Sequence, residues 1–256
     1  MDLKVGDYVS RNSHHNDIVF KVINIDNDNV TIKGVYMRLY ADAKINDLKK
    51  ETNINDSFTP EYESDDKRDD YFYLPGKILH IDGDEEYLEK CLKYYKKTGV
   101  YAIGKKIQEN EIANQIGELL KSLKPDVVVL TGHDAFYEKK GDKNNISNYK
   151  NSFNFVKAVR AARAYEKSQD KLVIIAGACQ SDYEELIKAG ANFASSPKRI
   201  NIHALDPAII AVNVALTKKN SNIDLKNILD KTKYGSDGMG GIITSGLMYV
   251  GYPRWI

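Results

Sequence analysis

The sequence predicts an α/β protein, a mainly parallel sheet flanked by helices and preceded by a small N-terminal β-barrel module. Three observations predict it. Val127-Val128-Val129-Leu130-Thr131-Gly132 and Leu172-Val173-Ile174-Ile175-Ala176-Gly177-Ala178 are apolar, largely β-branched runs without polar alternation, the pattern of parallel strands covered on both faces. From Tyr71 onward such runs alternate with stretches of helical periodicity, which implies βαβ units with right-handed crossovers. Residues 1–50 instead alternate apolar with polar side chains, as half-buried antiparallel strands do.

In the first 50 residues the strands are Asp7-Tyr8-Val9-Ser10, Ile18 to Ile25 and Val30 to Leu39, with turns at Asn16-Asp17 and Asp26-Asn27-Asp28-Asn29. A small barrel or a curled meander accommodates them. Residues 51–72 are dense in Glu, Asp, Lys, Asn and Ser and read as a linker or mobile loop, in which Lys67-Arg68 is a site for self-cleavage. Residues 73–256 then form the larger domain. Lys77-Ile78-Leu79-His80-Ile81 is a strand ending in Asp82-Gly83-Asp84, and the next helix carries Leu88, Cys91, Leu92 and Tyr95 on one face. Val100 to Gly104 is a strand, and Ile112, Ile116, Leu119, Leu120 and Leu123 mark a helix stopped by Pro125. After the Val127 strand come a Gly/Asn/Lys-rich loop from Lys139 to Asn151 and a helix through Phe155, Val156 and Val159. The Leu172 strand, a helix from Tyr183 to near Gly190, a strand over Ile200 to Leu205 and a helix over Pro207 to Leu216 complete the alternation.

Composition narrows the function. The formal net charge of +1 argues against a generic polyanion binder, so no nucleic-acid partner is expected. No stretch approaches the roughly 18 apolar residues of a membrane span, and Met1-Asp2-Leu3-Lys4-Val5 lacks a signal-peptide core, so the expectation is an intracellular protein without a membrane partner. Two cysteines, Cys91 and Cys179, are too few for a disulfide framework or a four-thiolate zinc site. Cys91 reads as a small core residue of its helix. His14 and His15 fall in a turn and His80 within a strand, so no histidine pair has zinc-motif spacing; neither a metal nor an organic cofactor is expected.

His133 and Cys179 each end one of the apolar strand runs, and open α/β sheets bind their ligands beyond the carboxyl ends of the strands. A thiol near neutral pH is mostly protonated and needs a base or a positive field to become a thiolate. Cys179 is followed by Gln180-Ser181-Asp182-Tyr183-Glu184-Glu185, which read as the opening of a helix whose dipole supplies that field. His133 supplies the base. Backbone N–H groups of Cys179 and Asp134 are candidates for binding a carbonyl oxyanion. The reaction class is acyl transfer, most simply peptide hydrolysis. His133 stands 46 residues before Cys179 (133 to 179), close to the roughly 50 that separate base and nucleophile in caspases.

Gly6-Asp7-Tyr8-Val9-Ser10-Arg11, Phe20-Lys21-Val22, Tyr73 to Asp84, Thr131-Gly132-His133-Asp134, Gly177-Ala178-Cys179-Gln180-Ser181 and Arg199 to Pro207 together resemble the YabG family of sporulation-specific proteases of spore-forming bacteria, over nearly the whole chain. The resemblance implies a caspase-like cysteine peptidase of the mother-cell cytoplasm. It further implies protein substrates of the spore coat and cortex machinery, cut after arginine. Ala178-Cys179 matches the pair around the nucleophile of the wider caspase-like group, whereas His133 is followed by Asp134 where that group has glycine, which alters the loop and places a carboxylate beside the site.

An arginine-directed enzyme requires a carboxylate to pair with the guanidinium. Asp82, Asp84, Asp134, Asp182 and Asp206 lie near predicted strand ends, with Asp82 and Asp84 ranked first; for Asp84 and Asp182 a helix N-cap is the competing role. Two rival functions remain. One is an amidase or amidotransferase-type hydrolase pairing Cys179 with His203; the other is a non-catalytic binding module. Gly235-Ser236-Asp237-Gly238-Met239-Gly240-Gly241 lacks the lysine of a P-loop and reads as a flexible loop bordering the cleft. The N-terminal module, outside the catalytic pattern, is expected to recruit substrate or assemble the enzyme; the oligomeric state is not written in the sequence.

Overall fold

The computed structural model describes residues 3–52, 54–56, 58–60, 71–137, 139 and 141–252 and divides into two compact units, Met1–Thr59 and Pro60–Ile256. In the first unit β1 (Tyr8–Arg11), β2 (Phe20–Asp26), β3 (Asn29–Gly34), β4 (Tyr40–Lys44) and β5 (Leu48–Lys50) form an antiparallel sheet in the order β4-β3-β2-β1-β5. The two-residue turn Asn27-Asp28 closes the β2–β3 hairpin, with Asn27 at φ 52° in the left-handed region such turns demand. Val9, Phe20, Val22, Val30, Ile32 and Leu48 form its core, each contributing roughly 1.5–3 kcal/mol by leaving water. The expected barrel is corrected: among the described residues no ladder joins β4 to β5. Those edge strands are separated only by Ile45–Asp47, a segment short enough to keep their adjoining ends near each other.

The expected linker falls mainly on residues 61–70, which lie outside the described residues, as does Lys67-Arg68. Its last residue, Phe72, opens β6 (Phe72–Leu74), paired antiparallel with β13 (Tyr249–Gly251).

The second unit contains β7 (Ile78–Asp82), α1 (Glu85–Lys97), β8 (Ala102–Lys106), α2 (Ile112–Leu123), β9 (Val127–Thr131), α3 (Ser152–Tyr165), β10 (Val173–Ala176), α4 (Tyr183–Lys188), β11 (Phe193–Ser195), α5 (Asp206–Leu216), α6 (Leu225–Asp230), α7 (Gly235–Gly238) and β12 (Met239–Gly241). The sheet order is β8-β7-β9-β10-β11-β12, parallel throughout except for the antiparallel β11–β12 pair. Period-2 alternation divides the two faces. Leu79, Ile81, Val128, Leu130, Ile174 and Ala176 pack with Ile112, Ile116 and Leu120 of α2 and Phe155, Val156 and Val159 of α3. The opposite face, including His80, meets α1 and α5. Because both faces are buried, the strands carry no polar alternation. No helix among the described residues is long and apolar enough to cross a membrane.

Two expectations change here. Ile200 to Leu205 is not a strand: the Ile202 amide donates to Cys179 Sγ, the His203 amide to Asp206 Oδ2 and the Leu205 amide to His203 Nδ1, so these donors are not available to a ladder. The strand beside β10 is instead Phe193–Ser195. Gly235 to Gly241 is not a flexible loop but α7 followed by edge strand β12. A Cβ on Gly241 would stand 2.4 Å from the Phe193 ring, so glycine there permits close approach.

Candidate active site

Strands β9 and β10 run parallel with Leu130 opposite Ala176. His133 and Cys179 each follow three residues later in the chain, in the loops beyond the carboxyl ends of these neighbouring strands. The chain order reverses between β7 and β9, since β8 lies on the far side of β7; such a switch point opens the crevice where sheets of this type bind ligands.

Cys179 is fully buried. Its Sγ accepts the Ile202 N–H at 3.3 Å and lies 3.8 Å from the Ile202 carbonyl oxygen, to which the S–H donates. Gln180 takes φ 57°, turning the chain away directly after the thiol, and its amide bonds to the Ile200 carbonyl. The expected helix dipole is corrected: α4 begins only at Tyr183, is six residues long, and is capped by Asp182, whose side chain accepts the Glu185 N–H. Three residues, Gln180 to Asp182, lie between Cys179 and that helix, and the dipole effect fades within one turn.

Asp134 joins the two loops. Its Oδ1 accepts the Ala135 and Asn151 amides, and its Oδ2 accepts the Ser152 and Ser181 hydroxyls. Ser181 Oγ accepts the Ala178 N–H, and Ser152 Oγ the Asp182 N–H. One carboxylate thus ties the histidine loop, the start of α3 and both sides of the thiol. Burial pushes its pKa up, outweighing the bonds from Ser152, Asn151, Ser181 and Ala135 that lower it. A second strap is the Phe136 amide donating to Gln180 Oε1 at 3.1 Å.

Two carboxylates flank the His133 ring. Asp84 Oδ2 lies 3.5 Å from Nε2 and Glu109 Oε1 3.7 Å from Nδ1; the Tyr87 ring stands 5.7 Å from the imidazole. Asp84 also caps α1, its Oδ1 accepting the Glu86 and Tyr87 amides, so one side chain terminates a helix and faces the histidine. Glu109, in the β8–α2 connection, accepts the His133 backbone N–H at 2.7 Å. A Cβ on Gly83 or Gly132 would come within 2.4 or 2.3 Å of Glu109 Oε1; the two glycines make room for the carboxylate. Burial raises the Glu109 pKa, but the His133 imidazole beside it and the His133 backbone N–H outweigh that effect and hold the group below the ordinary glutamate value. Beneath the ring, Tyr95 Oη meets His80 Nδ1, His80 Nε2 meets Thr131 Oγ1, and the Thr131 hydroxyl donates to Asp82 Oδ2, each at 2.8 Å. Asp82 Oδ2 also lies 3.6 Å from His80 Nε2.

The remaining sequence candidates are placed as follows. Asp82 is fully buried, its Oδ1 accepting the Asp84 amide; Asp206 is fully buried, bonded by the His203 and Lys233 amides. Both oxygens of Asp82, Asp134 and Asp206 are therefore engaged by the protein's own donors. Asp182 pairs with Arg199 Nη2 at 3.3 Å, its Oδ2 is buried without a hydrogen-bond partner, and burial raises its pKa against the Glu185 amide and Arg199. His203 adjoins the residue that touches the sulfur, but its Nδ1 accepts the Leu205 amide at 3.1 Å, so the neutral ring carries its proton on Nε2. Cys91 is buried on α1 with its thiol donating to the Ala204 carbonyl. Among the described residues no group of three or more His, Cys, Asp or Glu is arranged to hold a metal ion. Glu109 was absent from the sequence candidates: it lies in the polar run Lys105-Lys106-Ile107-Gln108-Glu109-Asn110-Glu111, and the paired glycines at 83 and 132 were the one signal for it.

The chain matches the family model described as YabG peptidase U57 over residues 4–67 and 52–253. It is 38% identical over 289 aligned positions, covering 99% of both chains, to the sporulation-specific protease YabG of Bacillus subtilis (strain 168).

Proposed function

The chain belongs to the YabG peptidase U57 family, and on that premise we propose that it is a cysteine endopeptidase of sporulation in which Cys179 is the nucleophile and His133 the general base and acid. The observation that supports this reading is the β9–β10 register, Leu130 opposite Ala176, from which His133 and Cys179 each follow three residues further along the chain. In the proposed reaction His133 takes the thiol proton and the Cys179 sulfur bonds to the scissile carbonyl carbon. The carbonyl electron pair moves onto oxygen, where the backbone N–H groups of Cys179 and Asp134 receive it. The C–N bond breaks as the amine takes the proton from His133, and water, activated by the same imidazole, hydrolyses the thioester. The caspase-like assignment belongs to the same proposal, supported by a base-bearing strand that precedes and adjoins the nucleophile-bearing one.

Cleavage after arginine, and substrates of the spore coat and cortex machinery in the mother cell, are further parts of the proposal. For reading arginine the candidates favoured are Asp84, whose Oδ2 faces the His133 ring, and Asp182, which already holds one guanidinium. Digestion of a defined peptide library by wild type, Cys179→Ala, His133→Ala and His203→Ala proteins tests the whole reading. Cuts after arginine that vanish in the first two variants and persist in the third are expected. Full activity of His133→Ala, with loss in His203→Ala, would transfer the base to His203 and favour the amidase-type alternative.

A further inference from the structure

Resting on the thiol-peptidase reading above, we propose that Glu109 is the positioning residue for His133, holding the imidazole with its proton on Nδ1 so that Nε2 exchanges the proton with Cys179. The same Glu109 oxygen that accepts the His133 backbone N–H at 2.7 Å stands 3.7 Å from Nδ1 of that residue. The carboxylate is therefore fixed to the backbone of the residue whose ring it faces. It is buried, with 8% of its surface exposed, and is seated where Gly83 and Gly132 leave space that any side chain would fill. A separation of 3.7 Å exceeds a hydrogen bond, and contacts of this kind tighten when substrate binds and the ring becomes cationic.

Other groups facing the ring play different parts. From α1 come Asp84, 3.5 Å from Nε2 and bound through its other oxygen to the helix amides, and Tyr87, with Lys90 stacked on its ring. From the β9 loop Asp134 directs its carboxylate to Ser152, Ser181 and two amides. Glu109 is the carboxylate anchored on the histidine itself.

The test compares the full chain as wild type, Glu109→Gln, Glu109→Asp, Gly132→Ala, Cys179→Ala and His133→Ala. Glutamine keeps an oxygen for the backbone N–H and loses the charge. On an arginyl peptide, Glu109→Gln is expected to lower kcat roughly 100-fold with KM changed less than about twofold. Iodoacetamide alkylation of Cys179 near neutral pH should fall in parallel and recover at alkaline pH, where the thiol ionises unaided. Imidazole ¹⁵N shifts should show His133 losing its Nδ1–H preference, and Glu109→Asp should restore part of kcat. If Glu109→Gln does not fold, Gly132→Ala carries the test: its Cβ displaces the carboxylate, and the same alkylation and ¹⁵N changes are expected. Wild-type kcat, or a lowered kcat with unchanged alkylation profile and tautomer, in whichever variant folds, overturns the proposal. Activity surviving in Cys179→Ala would overturn the thiol reading itself; inert Cys179→Ala and His133→Ala beside a normal Glu109→Gln would overturn only the role of Glu109.

Discussion

At the scale of residues, the site is a pair of loops held in mutual position by side chains that do no bond-making chemistry of their own. Asp134 is the centre of that arrangement, since two amides and two hydroxyls converge on its oxygens. Each buried donor left without a partner costs about 1–3 kcal/mol, so Asp134→Ala should destabilise the second unit by about 3–5 kcal/mol and weaken activity by loosening the spacing of His133 and Cys179. Urea denaturation together with kcat checks this; unchanged stability would show that the network is dispensable. The sequence pointed to His133 and Cys179 because each terminates a recognisable apolar run. It gave no comparable sign of the duty of Asp134, which was listed for an oxyanion and an arginine, because hydrogen bonds to Ser152 and Ser181 depend on loops brought together through space.

Elements show the same division. The runs read as strands at 77–81, 127–132 and 172–178 hold β7, β9 and β10 to within a residue or two at each end, since burial on both faces leaves a largely local signature. Tyr40-Ala41-Asp42-Ala43-Lys44 and Phe193-Ala194-Ser195 carry small or charged residues and were not read as strands; ladder partners alone make them so. Conversely, Ile200 to Leu205 looked like a strand on propensity and became a connector because its amides bond Cys179, His203 and Asp206. Strand β7 and helix α1 are joined through Tyr95 and His80. Tyr95→Phe removes the hydroxyl that meets His80 Nδ1 and should cost about 1–3 kcal/mol while leaving kcat of the folded protein within about twofold. Thermal melting and steady-state kinetics check this, and a large loss of kcat at unchanged stability would mean that the buried chain takes part in the chemistry.

On the scale of the whole molecule, each unit has a core of its own: Val9, Phe20, Val22, Val30, Ile32 and Leu48 in the first, and the faces of the six-stranded sheet in the second. Residues 60–256 expressed alone should therefore melt cooperatively and cleave a short peptide at close to the rate of the full chain. Large protein substrates should be cut more slowly if the first unit recruits them. Equal loss on peptide and protein would assign the N-terminal unit a role in folding instead.

By itself the sequence determined the α/β class, the order of the main strands and helices, and the positions of His133 and Cys179 just beyond β9 and β10. These are properties of local apolar pattern and chain order, and strand ends are where parallel sheets present reactive side chains. Tertiary structure alone decided the open edges of the first sheet, the approach of Glu109 to His133, the linking of both loops through Asp134, and the contact of Ile202 with the Cys179 sulfur. Each of these depends on donors and acceptors far apart in the chain meeting in a buried space, where a polar group without a partner is too costly to leave.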